Sequence, residues 1–135
     1  MMKESYHLNN IYRGKVANRY GISTAIDKLV VKEKIFLSYA GLDGDECAEK
    51  KHHGGPDRAL HHYPIEHYAY WKNKYGTVHQ WQAAGMGENL STLGMTEDNI
   101  CLGDRFQWGE AIIEVSQPRS PCHKLNKRWG IEEFS

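Results

Sequence analysis

Short apolar segments separated by polar or glycine-containing stretches occupy the N-terminal part of the chain: Ile11 to Val16, Leu29 to Val31 and Ile35 to Leu37. That punctuation, β-branched in the first two, predicts strands rather than helices. Gly41-Leu42-Asp43-Gly44-Asp45 reads as a turn, because its glycines supply φ > 0 positions and its aspartates local caps. Ala59 to Tyr63 predicts a further strand, and Pro64 suits the first position of a helix running to about Tyr75. Tyr68, Trp71 and Tyr75 stand at helical spacing on one face, which is a core stripe, and Gly76 is the C-terminal stop. Gly85-Met86-Gly87-Glu88-Asn89-Leu90 is again punctuated by glycine, and Asn89, with no helix to cap, reads as a turn residue. Arg105 to Trp108 and Ala111 to Val115 frame Gly109-Glu110 as a two-residue hairpin turn. The pattern is that of a mainly β (α+β) chain.

The last of these strands leads into Ser116-Gln117-Pro118-Arg119-Ser120-Pro121-Cys122-His123-Lys124. One thiol stands between basic neighbours, which favour the thiolate and hold its pKa below the usual value of about 8.5. The two prolines fix φ and remove backbone donors, so the stretch is a stiff loop rather than sheet interior. Its place just past a strand end is where a scaffold can position a reactive group.

At 135 residues the chain fits one domain, residues 1–135, without repeats or linkers. Seventeen basic residues balance seventeen acidic ones, so nothing at this level points to nucleic acid or to a membrane surface. No apolar run approaches the ~18 residues of a membrane span, and Met1 to Asn10 lacks the apolar core of a signal peptide. A cytoplasmic location is the expectation. Cys47, Cys101 and Cys122 form an odd set without CxxC spacing, which argues against a disulfide framework and a zinc ribbon. Packing is the default role for the first two.

Two other segments bear on chemistry. Gly21-Ile22-Ser23-Thr24-Ala25-Ile26-Asp27-Lys28 is either a plain loop or a set of hydroxyls and amides around an anion. In His53-Gly54-Gly55-Pro56-Asp57-Arg58, paired glycines let a ligand approach the backbone, neighbouring amides can form an anion nest, and Arg58 offers a planar fork for phosphate. Three readings compete. Cys122 is a nucleophile with His53 or His123 as base and Asp57 as orienter, as in a cysteine hydrolase. Or His53, His61 and His62 bind a metal such as zinc, although adjacent histidines on a strand face opposite ways. Or Cys122 ligates a soft metal while glycine-rich loops and basic residues hold an anionic cofactor. An idle, buried cysteine is the plain alternative to all three.

Ser23-Thr24-Ala25-Ile26 with Lys28, Gly41 to Asp45, His53 to Ala59, Gly87-Glu88-Asn89-Leu90-Ser91-Thr92, Gly103-Asp104 and Ser116 to Cys122 together resemble, in order, the MOSC family. This is the domain shared with the C-terminal part of molybdenum cofactor sulfurases, and the likeness is strongest to its bacterial hydroxylaminopurine-resistance branch. The resemblance implies a MOSC-type β-barrel with one or two short helices that binds the molybdenum cofactor (molybdopterin), a pyranopterin dithiolene with a phosphate tail. It implies Cys122 as the molybdenum ligand, with Arg119 beside the anionic cofactor. Ser23, Thr24 and Lys28 are then candidates for its phosphate end, and His53, Gly54, Asp57, Arg58 and Asn89 for the pterin and the substrate-facing rim. Catalytic contributions fall to Cys122, Arg119, His53 and Asn89. The implied activity is reduction of N-hydroxylated bases or related compounds, with electrons from an external reductase, since no flavin or cluster motif is visible. The alternative is a non-catalytic module that binds the cofactor or carries sulfur. Family members of that branch continue past the cysteine to complete the barrel, so this chain is expected to be cut short at its C-terminus. Self-association into a homodimer is one way to cover the remaining sheet edge.

Overall fold

The computed structural model describes residues 5–48, 55–77, 79–119, 123–132 and 134. Its main sheet has four strands in the order β4-β1-β8-β7, formed by β1 (His7–Arg13), β4 (Leu29–Val31), β7 (His62–Pro64) and β8 (Leu90–Leu93). β1 runs antiparallel to β4 and β8, whereas β7 lies parallel to β8. A parallel pair needs a crossover, which is supplied by the segment containing helix α1 (His67–Tyr75). The other strands form three hairpins: β2 (Ala17–Arg19) with β3 (Ile22–Thr24), β5 (Leu37–Ser38) with β6 (Gly41–Leu42), and β9 (Arg105–Trp108) with β10 (Ala111–Glu114). Helix α2 (His123–Trp129) follows.

The mainly β character and the two short helices agree with expectation; a closed barrel does not. Among the described residues β4 and β7 remain sheet edges, and each hairpin pairs only with itself. The strands outside the main sheet are two to four residues long. Leu29 on β4 is 80% exposed, as befits an uncovered edge.

Two local expectations also change. Pro64 ends β7 opposite Thr92 instead of opening the helix, which starts at His67. A residue without an N–H is tolerated on an edge strand, and Ile65 continues the ladder by donating to the Thr92 carbonyl at 2.9 Å. β8, a central strand, had no strand signal because its inner positions include Ser91 and Thr92, both buried. Thr92 is matched by a hydrogen bond to the His62 ring at 2.5 Å.

The aromatic stripe of α1 is core as predicted. Tyr68 joins Met86 and Trp129 in a buried cluster, flanked by Tyr63, Ile65, Trp71, Trp81 and Phe134. The Trp129 indole stacks on Trp81 with ring centroids 4.0 Å apart and planes 19° from parallel. Gly85 makes room for it, since a Cβ there would sit 2.7 Å from the Trp129 ring. α2 is thereby docked on the α1 side of the core, immediately after the cysteine loop. Inside this cluster lies a fully buried carboxyl, Glu88, which accepts from the Tyr68 hydroxyl at 2.5 Å and from the Met86 amide at 3.0 Å. Burial raises the Glu88 pKa, while the Tyr68 bond opposes that rise.

Trp129→Ala is expected to destabilise the chain by about 3–5 kcal/mol in urea unfolding, the usual cost of emptying a large aromatic site; a loss near zero would mean that α2 is not held by this contact. Because the folded Glu88 binds its proton more tightly than an ordinary carboxyl of pKa 4.5, its contribution to stability is full below that value and is lost as pH rises through the folded pKa. Stability of the native chain relative to Glu88→Gln should therefore fall as pH rises above 4.5. A difference between the two proteins that does not vary with pH would contradict this.

Candidate functional site

The site is built on one carboxylate. Asp45, in the turn after β6, accepts from Lys28 Nζ at 2.8 Å and from the Gly14 amide at 2.9 Å, both on Oδ1. Its Oδ2 accepts from Asn89 Nδ2 at 3.0 Å. The Lys28 and Asp45 side chains are only 7% and 13% exposed, so this pair is largely removed from water. Breaking such a pair by removing one partner typically costs about 3–5 kcal/mol, because an uncompensated charge is left behind. Lys28, expected at a phosphate, thus has its ammonium engaged by Asp45.

Asn89 is buried and extends the same network. Its second amide proton goes to the Tyr12 carbonyl at 3.1 Å, and its Oδ1 accepts from the His61 amide at 2.9 Å. Its own backbone N–H donates to the His61 carbonyl at 2.7 Å, and its carbonyl accepts from the Tyr12 amide at 2.7 Å. The Asn89 side chain therefore joins β1 and Asp45 through its two amide protons and the approach to β7 through its oxygen. Neither turn geometry nor a rim position describes it: it is a cross-link within the sheet.

Around this centre the predicted site segments meet. Thr24 is buried and its hydroxyl oxygen accepts from the Ile26 amide at 3.1 Å, whereas Ser23 is exposed. The Ser23–Lys28 segment packs against Gly87, where φ is 78° and an added Cβ would lie 2.9 Å from Ile26 Cγ1. Lys124 on α2 donates to the Ser23 carbonyl at 2.9 Å, and Arg128 reaches Asp27 at 3.4 Å. At the other end of the cysteine loop, Ser116 Oγ donates to the Asp57 carbonyl at 2.5 Å, in the short 3₁₀ turn Pro56–Arg58. The loop that contains Cys122 is thus tied at Ser116 to the Asp57-Arg58 segment and at Lys124 to the Ser23 segment. Asp57, Arg58 and Arg119 are exposed. Cys122, His53 and Gly54 lie outside the described residues.

His61 completes the centre. Its backbone is held by Asn89 through both its N–H and its carbonyl, which also accepts from the Leu90 amide at 3.0 Å. Burial together with the Arg119 charge pushes its pKa down to about 3, against the opposing effect of the nearby Gly87 backbone. The imidazole is therefore neutral. Nδ1 is enclosed and has no hydrogen-bond partner. The adjacent His62 is instead bonded to Thr92, so the two rings have separate partners. Among the described residues no group of three His, Cys, Asp or Glu side chains is placed to hold a metal ion.

Asp45 and Lys124 were not singled out as site residues from the sequence, and His61 was considered only as a metal ligand beside His53 and His62. Asp45 looks like one more turn aspartate, and its role depends on partners 17, 31 and 44 positions away. For His61 a signal existed: two adjacent histidines at a strand face opposite ways, so their rings must find different surroundings.

Residues 49–135 match the family model described as MOSC domain. The chain is 52% identical over 128 residues to Protein YiiM of Escherichia coli (strain K12), an alignment covering 93% of this chain and 57% of that protein. It is 39% identical over 110 residues to a protein named Reductase from Gibberella moniliformis, covering 80% of this chain and 19% of that one. The solved structure of YiiM from Escherichia coli superposes with a TM-score of 0.76 at 42% identity, over 96% of this chain and 53% of that one. The chain thus spans little more than half the length of YiiM. The family model covers well over half of its residues, and the anchored cysteine loop lies within the match: the chain belongs to the MOSC domain family.

Proposed function

We propose that this chain binds the molybdenum cofactor, with Cys122 as the protein ligand of molybdenum, and reduces N-hydroxylated bases or related N-hydroxylated compounds. The observation that supports this reading most is the anchoring of the cysteine loop between the Ser23 and Asp57-Arg58 segments. Those are the segments with the hydroxyls, amides and guanidinium that an anionic cofactor requires.

The residues present fit the group. Arg119 lies close enough to the His61 ring to act on its pKa, and Lys124 is held at Ser23, so each brings positive charge to a segment that the cysteine loop joins. At the phosphate end the fit shifts from the expected set: Ser23 is exposed and next to Lys124, while Lys28 contributes from behind through its pair with Asp45. Cys122 as thiolate would hold the metal, and Arg119 would offset the charge of the dithiolene. His53, Gly54, Asp57 and Arg58 would form the rim that receives substrate. Asn89 holds that rim's base in register. When bound, the cofactor supplies two-electron exchange; the overall change is R–NH–OH plus two electrons and two protons to R–NH2 plus water. Electrons would come from an external reductase partner.

Protein purified from cells that synthesise the cofactor should contain molybdenum in near-stoichiometric amount and reduce hydroxylaminopurine with a reduced artificial donor. Cys122→Ala should lose most of the metal and all turnover. Unchanged molybdenum and activity in that variant would overturn the ligand assignment. Stoichiometric cofactor without turnover in the native chain would favour the non-catalytic module, a reading to which the open sheet lends weight.

A further inference from the structure

Asp27 and Lys28 are consecutive residues that pair with different parts of the fold. The Lys28 ammonium is engaged by Asp45 at 2.8 Å, largely out of water. The Asp27 carboxylate instead meets α2, with Arg128 Nε 3.4 Å from its Oδ1. The main chain around Asp27 is fixed from two sides. A Cβ on Gly14 would sit 2.7 Å from the Asp27 carbonyl oxygen, and Ile26 packs against Gly87. Gly14 is itself bonded to Asp45, so the place of Asp27 is set by that centre.

The hairpin turn converges on the same carboxylate. The Tyr20 hydroxyl shares its proton between Oδ1 at 2.9 Å and Oδ2 at 2.8 Å, and Arg19 Nε lies 3.6 Å from Oδ2. Tyr20 has a φ of 56° in the two-residue turn between β2 and β3. A bulky residue seldom adopts this conformation and keeps it only where its surroundings fix it. The Tyr20 ring centroid is also 5.6 Å from Arg128 Cζ, and that of Trp129 is 4.4 Å from it. The Arg128 guanidinium is thus held by one carboxylate and two aromatic rings. Its Nε–H is not aligned for a hydrogen bond, so the hold consists of charge and cation–π attraction.

We infer that Asp27 is a positioning residue for Cys122, acting through Arg128 and α2. The use of that position in chemistry rests on the function proposed above. α2 starts at His123, directly after the cysteine. Successive helical residues point about 100° apart, so Trp129, stacked in the core, and Arg128, gripped by Asp27, hold the last turn from two directions. One grip alone would leave a hinge about the helix axis; two fix its rotation. Lys124, one turn earlier, ties the other end to the Ser23 carbonyl. The direction in which the chain leaves the start of α2 toward Cys122 is therefore set by Asp27 as well as by the aromatic core.

The test uses the full chain without cofactor, in the background Cys47→Ser and Cys101→Ser, with a nitroxide spin label on Cys122. The label should give the broad lines of a restrained side chain. Asp27→Asn and Arg128→Gln should each narrow them to a similar extent, and the double variant should add nothing to either, because both remove the same link. Arg128→Lys, which keeps the charge and loses the planar group, should fall between. A reference label on the exposed Cys101, with Cys47 and Cys122 replaced by serine, should be unchanged throughout. An unmoved Cys122 spectrum in folded Asp27→Asn overturns the inference. So does additive narrowing in the double variant, or equal narrowing at Cys101, which is general loosening and not positioning. Where Asp27→Asn does not fold, Tyr20→Phe takes its place, since it removes only a hydroxyl from the carboxylate: narrowing confined to Cys122 supports the inference, and unmoved lines overturn it. The expected label response together with a native chain that holds no molybdenum, when made in cells that synthesise the cofactor, refutes the functional reading and leaves the positioning of Cys122 standing.

Discussion

The Asp45 carboxylate sets the geometry on which the rest depends. It draws together the Lys28 ammonium, the Gly14 amide and the Asn89 side chain, three groups from distant parts of the sequence. Asn89 then transmits this position to β1 and to His61, so that the sheet, the Ser23–Lys28 segment and the histidine share one reference point. The arrangement has a cost, since two charges leave water, and it holds only because the pair is closed by further hydrogen bonds. Its benefit is rigidity at the place where segments from five parts of the chain must meet.

Against that fixed base the cysteine loop is fastened from outside. Trp129 anchors α2 in the aromatic cluster, Lys124 ties the same helix to Ser23, and Ser116 ties the preceding strand end to Asp57. The loop between them is bridged by prolines and contains a thiol with basic neighbours. Core packing and site chemistry are therefore coupled through one short helix. A cavity at Trp129 would loosen the helix that follows the loop of Arg119 and Cys122.

Much of this was legible in the sequence where local rules apply. The hairpin at Gly109-Glu110, the stop at Gly76 and the aromatic face of α1 each follow from a few neighbouring residues, and each is present. The family too could be read, because its motifs are ordered runs of residues. What escaped were features decided by tertiary pairing. β8 has no alternation because Leu90, Ser91 and Thr92 are all buried, Thr92 bonded to the His62 ring and Ser91 enclosed without a hydrogen-bond partner for its hydroxyl. Asn89 and Lys28 look like turn and phosphate residues until Asp45, remote in sequence, claims them. Barrel closure was inferred from resemblance, and the described strands pair differently, as an open sheet and three hairpins.

The central claim is that this scaffold exists to present the Cys122 thiolate to a metal. X-ray absorption at the molybdenum edge of the cofactor-loaded chain tests it directly, by counting sulfur neighbours of the metal in the native protein and in Cys122→Ser. The account predicts one sulfur fewer in the variant, with the dithiolene sulfurs unchanged. Identical sulfur counts in the two proteins would contradict it.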